Sequence, residues 1–234
     1  MYKDYSEQET LKQDIGPMGY AGLLIAVDLL TFTVEDGVLK LLMIRRQEQP
    51  YMGCLALPGV FVHQNETLDD AVIRGIREET GLTGIYYEQL YTWGGLDRDP
   101  RTRVISVSYM SLVSREQLSF YAGSRTTEAV LVPVGELLDS KETIAFDHRN
   151  IIEYALWRLR NKVEYTDIAF HLVPEEFTLP ELQHVYEILL GKPLFKANFR
   201  KKVAPMIEET DHYTSGEPYR PSRFYRKKHS DDNR

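Results

Sequence analysis

The 234-residue chain is 43% hydrophobic and 27% charged, with 28 Lys and Arg against 35 Asp and Glu and a net charge of −7. That balance fits a globular chain with one medium domain plus a small one, and it excludes a low-complexity or disordered polymer. No apolar run is long enough to span a bilayer, residues 1–14 lack a signal-peptide pattern, and Cys54 is the only cysteine, so a cytoplasmic setting without a membrane partner is expected.

Residues 1–18 are polar and aperiodic and are expected to form a mobile leading segment. Leu23 to Leu30 reads as a largely buried strand, Asp36-Gly37 as a hairpin turn, and Val38 to Ile44 as the returning strand. Thr67-Leu68-Asp69-Asp70 has capping-box form and opens a helix with Val72, Ile73 and Ile76 on its apolar side, which Gly81 ends. Ile105, Val107 and Tyr109 alternate with Ser106 and Ser108, the pattern of a half-buried strand.

Across this region Glu66, Arg74, Ile76, Glu78, Glu79, Gly81 and Leu82 stand at the spacing G-x5-E-x7-R-E-U-x-E-E-x-G-U, where U is aliphatic. The segment resembles a Nudix box with two departures. Val60 stands where the leading glycine belongs, next to Gly59, and Gly75 stands where the box carries glutamate. The resemblance implies a diphosphate site using Mg²⁺ or Mn²⁺, hard cations that take carboxylate oxygens. Positions 75, 78 and 79 share a helix face, so the expected residual metal ligands are Glu66, Glu78 and Glu79. Glycine supplies no oxygen, and it costs roughly 1 kcal/mol against alanine inside a helix. Hydrolysis is therefore expected to be weak or absent, and the competing reading is an active Mg²⁺-dependent pyrophosphatase. A merely solvated pair of helix carboxylates is the plainer alternative for Glu78 and Glu79.

The loop after Trp93 sets Asp97, Arg98, Asp99, Arg101 and Arg103 around Pro100. Arginine forks fit phosphate oxygens and aspartates fit ribose hydroxyls, so all five are candidate ligand contacts, joined by Arg45 and Arg46 at the end of the second strand. A self-paired ionic loop bracing the sheet is the alternative, above all for Asp97 and Arg103. Glu128 is a weaker candidate for a remote metal carboxylate. His148 reads as a helix-entry or packing residue, and Asn150 to Lys162 as a helix apolar enough to pack on two domains.

Charge divides the chain unequally. Residues 192–228 hold 10 Lys and Arg against 4 Asp and Glu, which points to a polyanionic partner for that module. Thr178-Leu179-Pro180-Glu181 is a second capping box, followed by Leu182, Val185, Tyr186 and Leu189 at helical spacing and a Gly191-Lys192-Pro193 stop. A second helix is expected from Leu194 to Ala204 with Phe195, Phe199 and Val203 inward. Lys196, Asn198, Arg200, Lys201 and Lys202 lie on its other faces. A Ser215-Gly216 turn and a basic strand with Arg223, Arg226 and Lys227 complete a winged helix-turn-helix pattern, whose second helix would enter a DNA major groove. A helical appendix with a solvated basic face fits the same residues.

A damaged Nudix box followed by a winged helix resembles the Nudix-related transcriptional regulators of the NrtR type. Trp93 to Val104, Ala145-Phe146-Asp147-His148, Phe177-Thr178-Leu179 and Asn198 to Val203 also carry the resemblance. It implies an α+β chain: a Nudix fold, with a mixed β-sheet between helices, over residues 19–148, a connecting helix at 149–164, a winged helix at 165–228 and a tail at 229–234. It further implies a duplex DNA operator, a homodimer, and an effector such as ADP-ribose or a related sugar or sugar nucleotide.

Overall fold

The computed structural model describes residues 22–119, 129–215 and 221–228. The leading segment 1–18, Glu128, Gly216 and the tail 229–234 lie outside the described residues.

β1 (Leu24–Glu35) and β2 (Val38–Arg45) form a hairpin. Asp36 and Gly37 both take positive φ, 54° and 74°, the left-handed pair that a two-residue hairpin turn demands. Two short strands follow, β3 (Leu55–Ala56) and β4 (Gly59–Phe61). α1 (Leu68–Thr80) is capped as its residues dictate: Thr67 and Asp70 exchange side chain-to-backbone bonds at 3.1 and 3.0 Å, and Gly81 closes the helix at φ 72°. Ala71, Val72 and Ile76 are buried, whereas Ile73, read as part of the apolar side, is largely exposed.

β5 (Tyr86–Trp93) and β6 (Val104–Leu112) precede a short α2 (Arg115–Ser119), β7 (Ala129–Pro133) and α3 (Val134–Asp139). The strands build a mixed seven-stranded sheet ordered β3-β2-β1-β6-β5, with β4 also on β1 and β7 on β2. β1 runs parallel to β6 from Leu24 beside Val104 to Phe32 beside Leu112. The half-buried expectation for β6 is corrected: Ser106 and Ser108 are fully buried as well. Their hydroxyls are satisfied internally, Ser106 by Asp28 at 2.5 Å and Ser108 by the Trp93 indole N–H at 2.9 Å, so burial costs no unmet hydrogen bond.

α4 (His148–Lys162) leads into a 3₁₀ turn at Ile168–Leu172 and then β8 (Glu176–Thr178), α5 (Leu179–Leu190), α6 (Lys196–Val203), β9 (Ile207–Tyr213) and β10 (Arg223–Lys227). The three-stranded sheet β8-β10-β9 is the wing. The second capping box forms between Thr178 and Glu181, and Gly191 ends α5 at φ 66°.

Two hydrophobic clusters hold these layers. The smaller sits between α1 and the sheet, around Val27, Leu29, Val72, Ile76 and Val107. The larger starts on the opposite sheet face at Leu30, Phe32 and Met110 and runs through Ile151, Ile152 and Leu159 of α4. It ends among Leu182, Tyr186, Phe199 and Val203. The sheet domain and the winged helix therefore share one continuous core.

Candidate functional site

A cavity of about 350 Å³ opens between the β1–β4 region, the loop after β5 and the entry to α4. Its floor is charged. Asp28 interrupts the apolar run of β1 and is 6% exposed. It accepts from Ser106 and, at 3.0 Å, from Arg98. Arg98 also binds both oxygens of Asp147, at 3.1 and 2.8 Å. His148 lies against the same group, its Nε2 3.7 Å from Asp28 while its Nδ1 accepts from the Leu57 backbone N–H at 2.9 Å. Burial lowers the His148 pKa, so the ring is neutral at pH 7. His148 opens α4, and its buried ring also lines the cavity.

The cavity wall carries cations and an aromatic face. Arg45, Arg46, Arg98, Asp99 and Arg101 all line it, and so does Phe146. Arg46 lies over the Phe146 ring at 4.8 Å and Arg101 at 6.0 Å, while Tyr51 meets it edge-on at 5.0 Å. Phe146 and Tyr51 take φ of 54° and 66°, a conformation that costs a bulky residue roughly 1–3 kcal/mol and concentrates at functional sites. Arg45 reaches Glu142 at 3.2 Å and the Gly53 carbonyl at 2.8 Å. Burial works against ionisation of Asp99, and its bonds from Arg101 overcome that, holding its pKa low. A wall of guanidinium forks, carboxylates and one aromatic ring suits a ligand with phosphates, hydroxyls and a flat base.

Three of the loop's charged residues stand apart from the open part of the cavity wall or are engaged within the protein. Asp97 is exposed and outside the cavity lining. Arg103 is also outside it and braces the loop through the carbonyls of Gly94 and Gly95. Arg98 lines the cavity, but its guanidinium is committed to Asp28 and Asp147, so it is a buried structural cation and not an open phosphate clamp. Asp28, Phe146 and Asp147 were missed as site residues. The signal for Asp28 was a lone carboxylate inside Leu23 to Leu30.

The box helix is arranged around Arg74. Its guanidinium holds Glu66 at 2.6 and 3.1 Å, the Phe61 carbonyl at 2.9 Å and Glu78 at 3.4 Å. Arg74 and the His63 backbone N–H bring the Glu66 pKa down to about 2. Glu66 is thereby held as an ionised ion-pair partner of Arg74. Gly75 offers no oxygen, and a side chain there would have to displace its neighbours. A Cβ there would stand 2.9 Å from Leu29 Cδ1 and 3.3 Å from Val60 Cγ2. The two departures from the box thus touch each other: the valine at 60 fills space that a side chain at 75 would need. Among the described residues no three His, Cys, Asp or Glu side chains come together to hold a metal ion. Within α1, Glu78 stands 3.4 Å from Arg74, while the side chain of Glu79 lies outside the described residues.

On the winged helix, α6 turns Phe199 and Val203 into the core and leaves Lys196, Asn198, Arg200 and Lys201 exposed. Lys196, Arg200 and Lys201 make no ion pair among the described residues. The other basic residues assigned to DNA are engaged at home. Lys202 donates to the carbonyls of Val163 and Glu164, at 3.4 and 3.0 Å, and lies 4.9 Å over the Tyr186 ring. It caps the end of α4, and burial lowers its pKa. Arg223 pairs with Glu209 and Tyr213, Arg226 with Glu176, and Lys227 with Asp167 at 2.5 Å. Phe195, expected inward, is 83% exposed.

A cavity lined by arginines and an aromatic ring, in a domain that shares its core with a winged helix, defines a ligand-binding domain joined to a DNA reader. Residues 23–155 match the NUDIX domain family, and residues 169–226 match the NrtR DNA-binding winged helix domain. The chain is 34% identical over 231 residues to the ADPR responsive transcriptional repressor NtrR of Acinetobacter baylyi, covering 95% of this chain and 89% of that one. Shewanella oneidensis NrtR complexed with a 27mer DNA is similar with a TM-score of 0.80 and 36% identity, over 87% of this chain and 93% of that one. The NUDIX domain of the same Shewanella protein complexed with ADP ribose matches with a TM-score of 0.53 and 32% identity, over 66% of this chain and 99% of that one. The chain belongs to the Nudix family, in the branch that carries the NrtR winged helix. No helix among the described residues is long and apolar enough to cross a membrane.

Proposed function

We propose that the protein is a transcriptional repressor that senses ADP-ribose in the Nudix cavity and reports it to DNA through α6. The carrying observation is the unbroken contact from cavity domain to reader. Lys162, at the end of α4, binds Glu88 and Tyr86 of β5. One and two residues further on, the Val163 and Glu164 carbonyls are held by Lys202 of α6. A shift of α4 relative to the sheet is therefore felt by the recognition helix as a rigid-body displacement. The relatives' ADP-ribose and DNA complexes supply the chemistry at the two ends.

In this reading Arg45 and Arg101 meet the diphosphate, Asp99 helps orient a ribose, and Phe146 gives the adenine an apolar neighbour. Lys196, Asn198, Arg200 and Lys201 meet DNA. The protein acts as a cytoplasmic homodimer on a two-fold-related site, since operator symmetry mirrors protein symmetry. The absent box glutamate and the packing of Val60 against Gly75 support binding without hydrolysis. Two measurements test the cavity end. ADP-ribose should raise the melting temperature of the full chain by mass action, and Arg101→Ala should abolish that rise. Turnover of ADP-ribose with Mg²⁺ at about 1 per second or faster, an ordinary enzyme rate, would overturn the non-catalytic part.

A further inference from the structure

We infer that Phe195 reads a base: its ring seats against the C5-methyl group of a thymine in the operator's major groove. The inference rests on the DNA-binding reading above and deepens it. Helical spacing with Phe199 and Val203 would place Phe195 inside, yet it is 83% exposed while those two are 3% and 0% exposed. The cause is local. Phe195 is the N-cap residue of α6, with extended backbone at φ −71° and ψ 120°, so it leaves the helical stripe one residue before the helix begins.

The backbone that carries the ring is nevertheless held on both sides. The Leu194 N–H donates to Glu187 Oε1 at 2.8 Å, and Gln183 Nε2 bridges that carboxylate and the Leu194 carbonyl at 2.9 and 3.0 Å. Leu194 also packs on the main core. On the other side, the Phe195 carbonyl accepts from the Phe199 N–H at 2.9 Å. The backbone is clamped before and after an aromatic ring that touches water, which is presentation at low conformational cost. Around it stand exposed Lys196, Asn198, Arg200 and Lys201. That charge favours an anionic partner and opposes a second copy of the same patch. In a helix-turn-helix, the N-terminal residues of the second helix face the base edges. The apolar group that a duplex offers in the major groove is the thymine methyl.

The test uses the full chain and a duplex that it enriches from a random-sequence pool. Each thymine is replaced in turn by deoxyuridine, which removes only the methyl group. At one thymine per half-site, the replacement should weaken wild-type binding about 4-fold, the worth of one buried methyl. Phe195→Ala should weaken binding to the unmodified duplex by about 5-fold or more and be indifferent to deoxyuridine at that position. Phe195→Leu should keep part of the sensitivity, and the unfolding midpoint of both variants should match wild type. Wild-type affinity in Phe195→Ala overturns the inference, and so does undiminished deoxyuridine sensitivity in that variant. A changed oligomeric state with intact sensitivity assigns the ring to a contact between copies and overturns it too. If no duplex is enriched, the DNA-binding reading fails and this inference with it. An enriched duplex with an indifferent Phe195 leaves that reading standing and removes only this one.

Discussion

Arg98 at the cavity floor is 8% exposed and divided between two carboxylates, whereas Arg200 on α6 is exposed and makes no ion pair among the described residues. Both are arginines in motifs read as anion sites, and their environments set them to opposite tasks. A guanidinium surrounded by buried carboxylates fixes the chain. One left in water on a helix with Lys196 and Lys201 is available to a partner. The same division runs through the wing, where Arg223, Arg226 and Lys227 resemble Arg98 more than Arg200. Counting charges therefore overstates the DNA surface, and pairing locates it.

Substitution at the two arginines should have opposite consequences for stability and for DNA binding. Arg98→Ala leaves Asp28 and Asp147 without their buried partner and should cost about 3–5 kcal/mol of unfolding free energy. Arg200→Ala should leave stability within about 0.5 kcal/mol while weakening DNA binding by roughly 1–3 kcal/mol. Denaturant titration and a DNA-binding isotherm read both, and interchanged outcomes would refute the assignment.

The Val60–Gly75 contact offers a second test within the cavity domain. Glycine-to-alanine inside a helix ordinarily gains roughly 1 kcal/mol. Here the new Cβ meets Leu29 and Val60, and overpacking costs about 1–3 kcal/mol, so Gly75→Ala should be destabilising, and Gly75→Glu more so. In a Val60→Gly background the alanine substitution should become markedly less costly. A purely additive double-mutant cycle would mean the two box departures are independent.

A smaller effect follows from His148. Its folded pKa lies below the ordinary value because of burial. The unfolded chain therefore binds a proton that the folded chain refuses as pH falls below about 6.5. Stability should be full above that pH and decline beneath it, by at most about 1.4 kcal/mol per pH unit for this group. His148→Gln should flatten that slope between pH 6.5 and 5.5, and an unchanged slope would assign the loss elsewhere. The smallest effect is expected at the wing: Arg226→Ala, already paired with Glu176, should lower DNA affinity by less than about 1 kcal/mol and leave the salt dependence as it was.

Much of this was legible because it rests on local rules. Thr67 with Asp70, Thr178 with Glu181, Asp36-Gly37, Gly81 and Gly191 act within four residues of themselves, and each formed as read. The box register and the two-helix reader followed from spacing. What escaped depends on partners far along the chain. Arg98 meets Asp28 and Asp147 at separations of 70 and 49 residues, and Lys202 meets Val163 and Glu164 nearly 40 residues back. Phe195 failed for the opposite reason, since helical periodicity was extended one residue past the point where the helix begins. The meaning of Val60 beside Gly75 needed the strand and the helix in contact.

If cavity and reader are coupled, a DNA-binding titration of the full chain with and without saturating ADP-ribose reveals it. The predicted result is a change in DNA affinity of about 5- to 150-fold, or 1–3 kcal/mol, with DNA changing ADP-ribose affinity by the same factor. Equal DNA affinity in the two titrations, with ADP-ribose demonstrably bound, would contradict it.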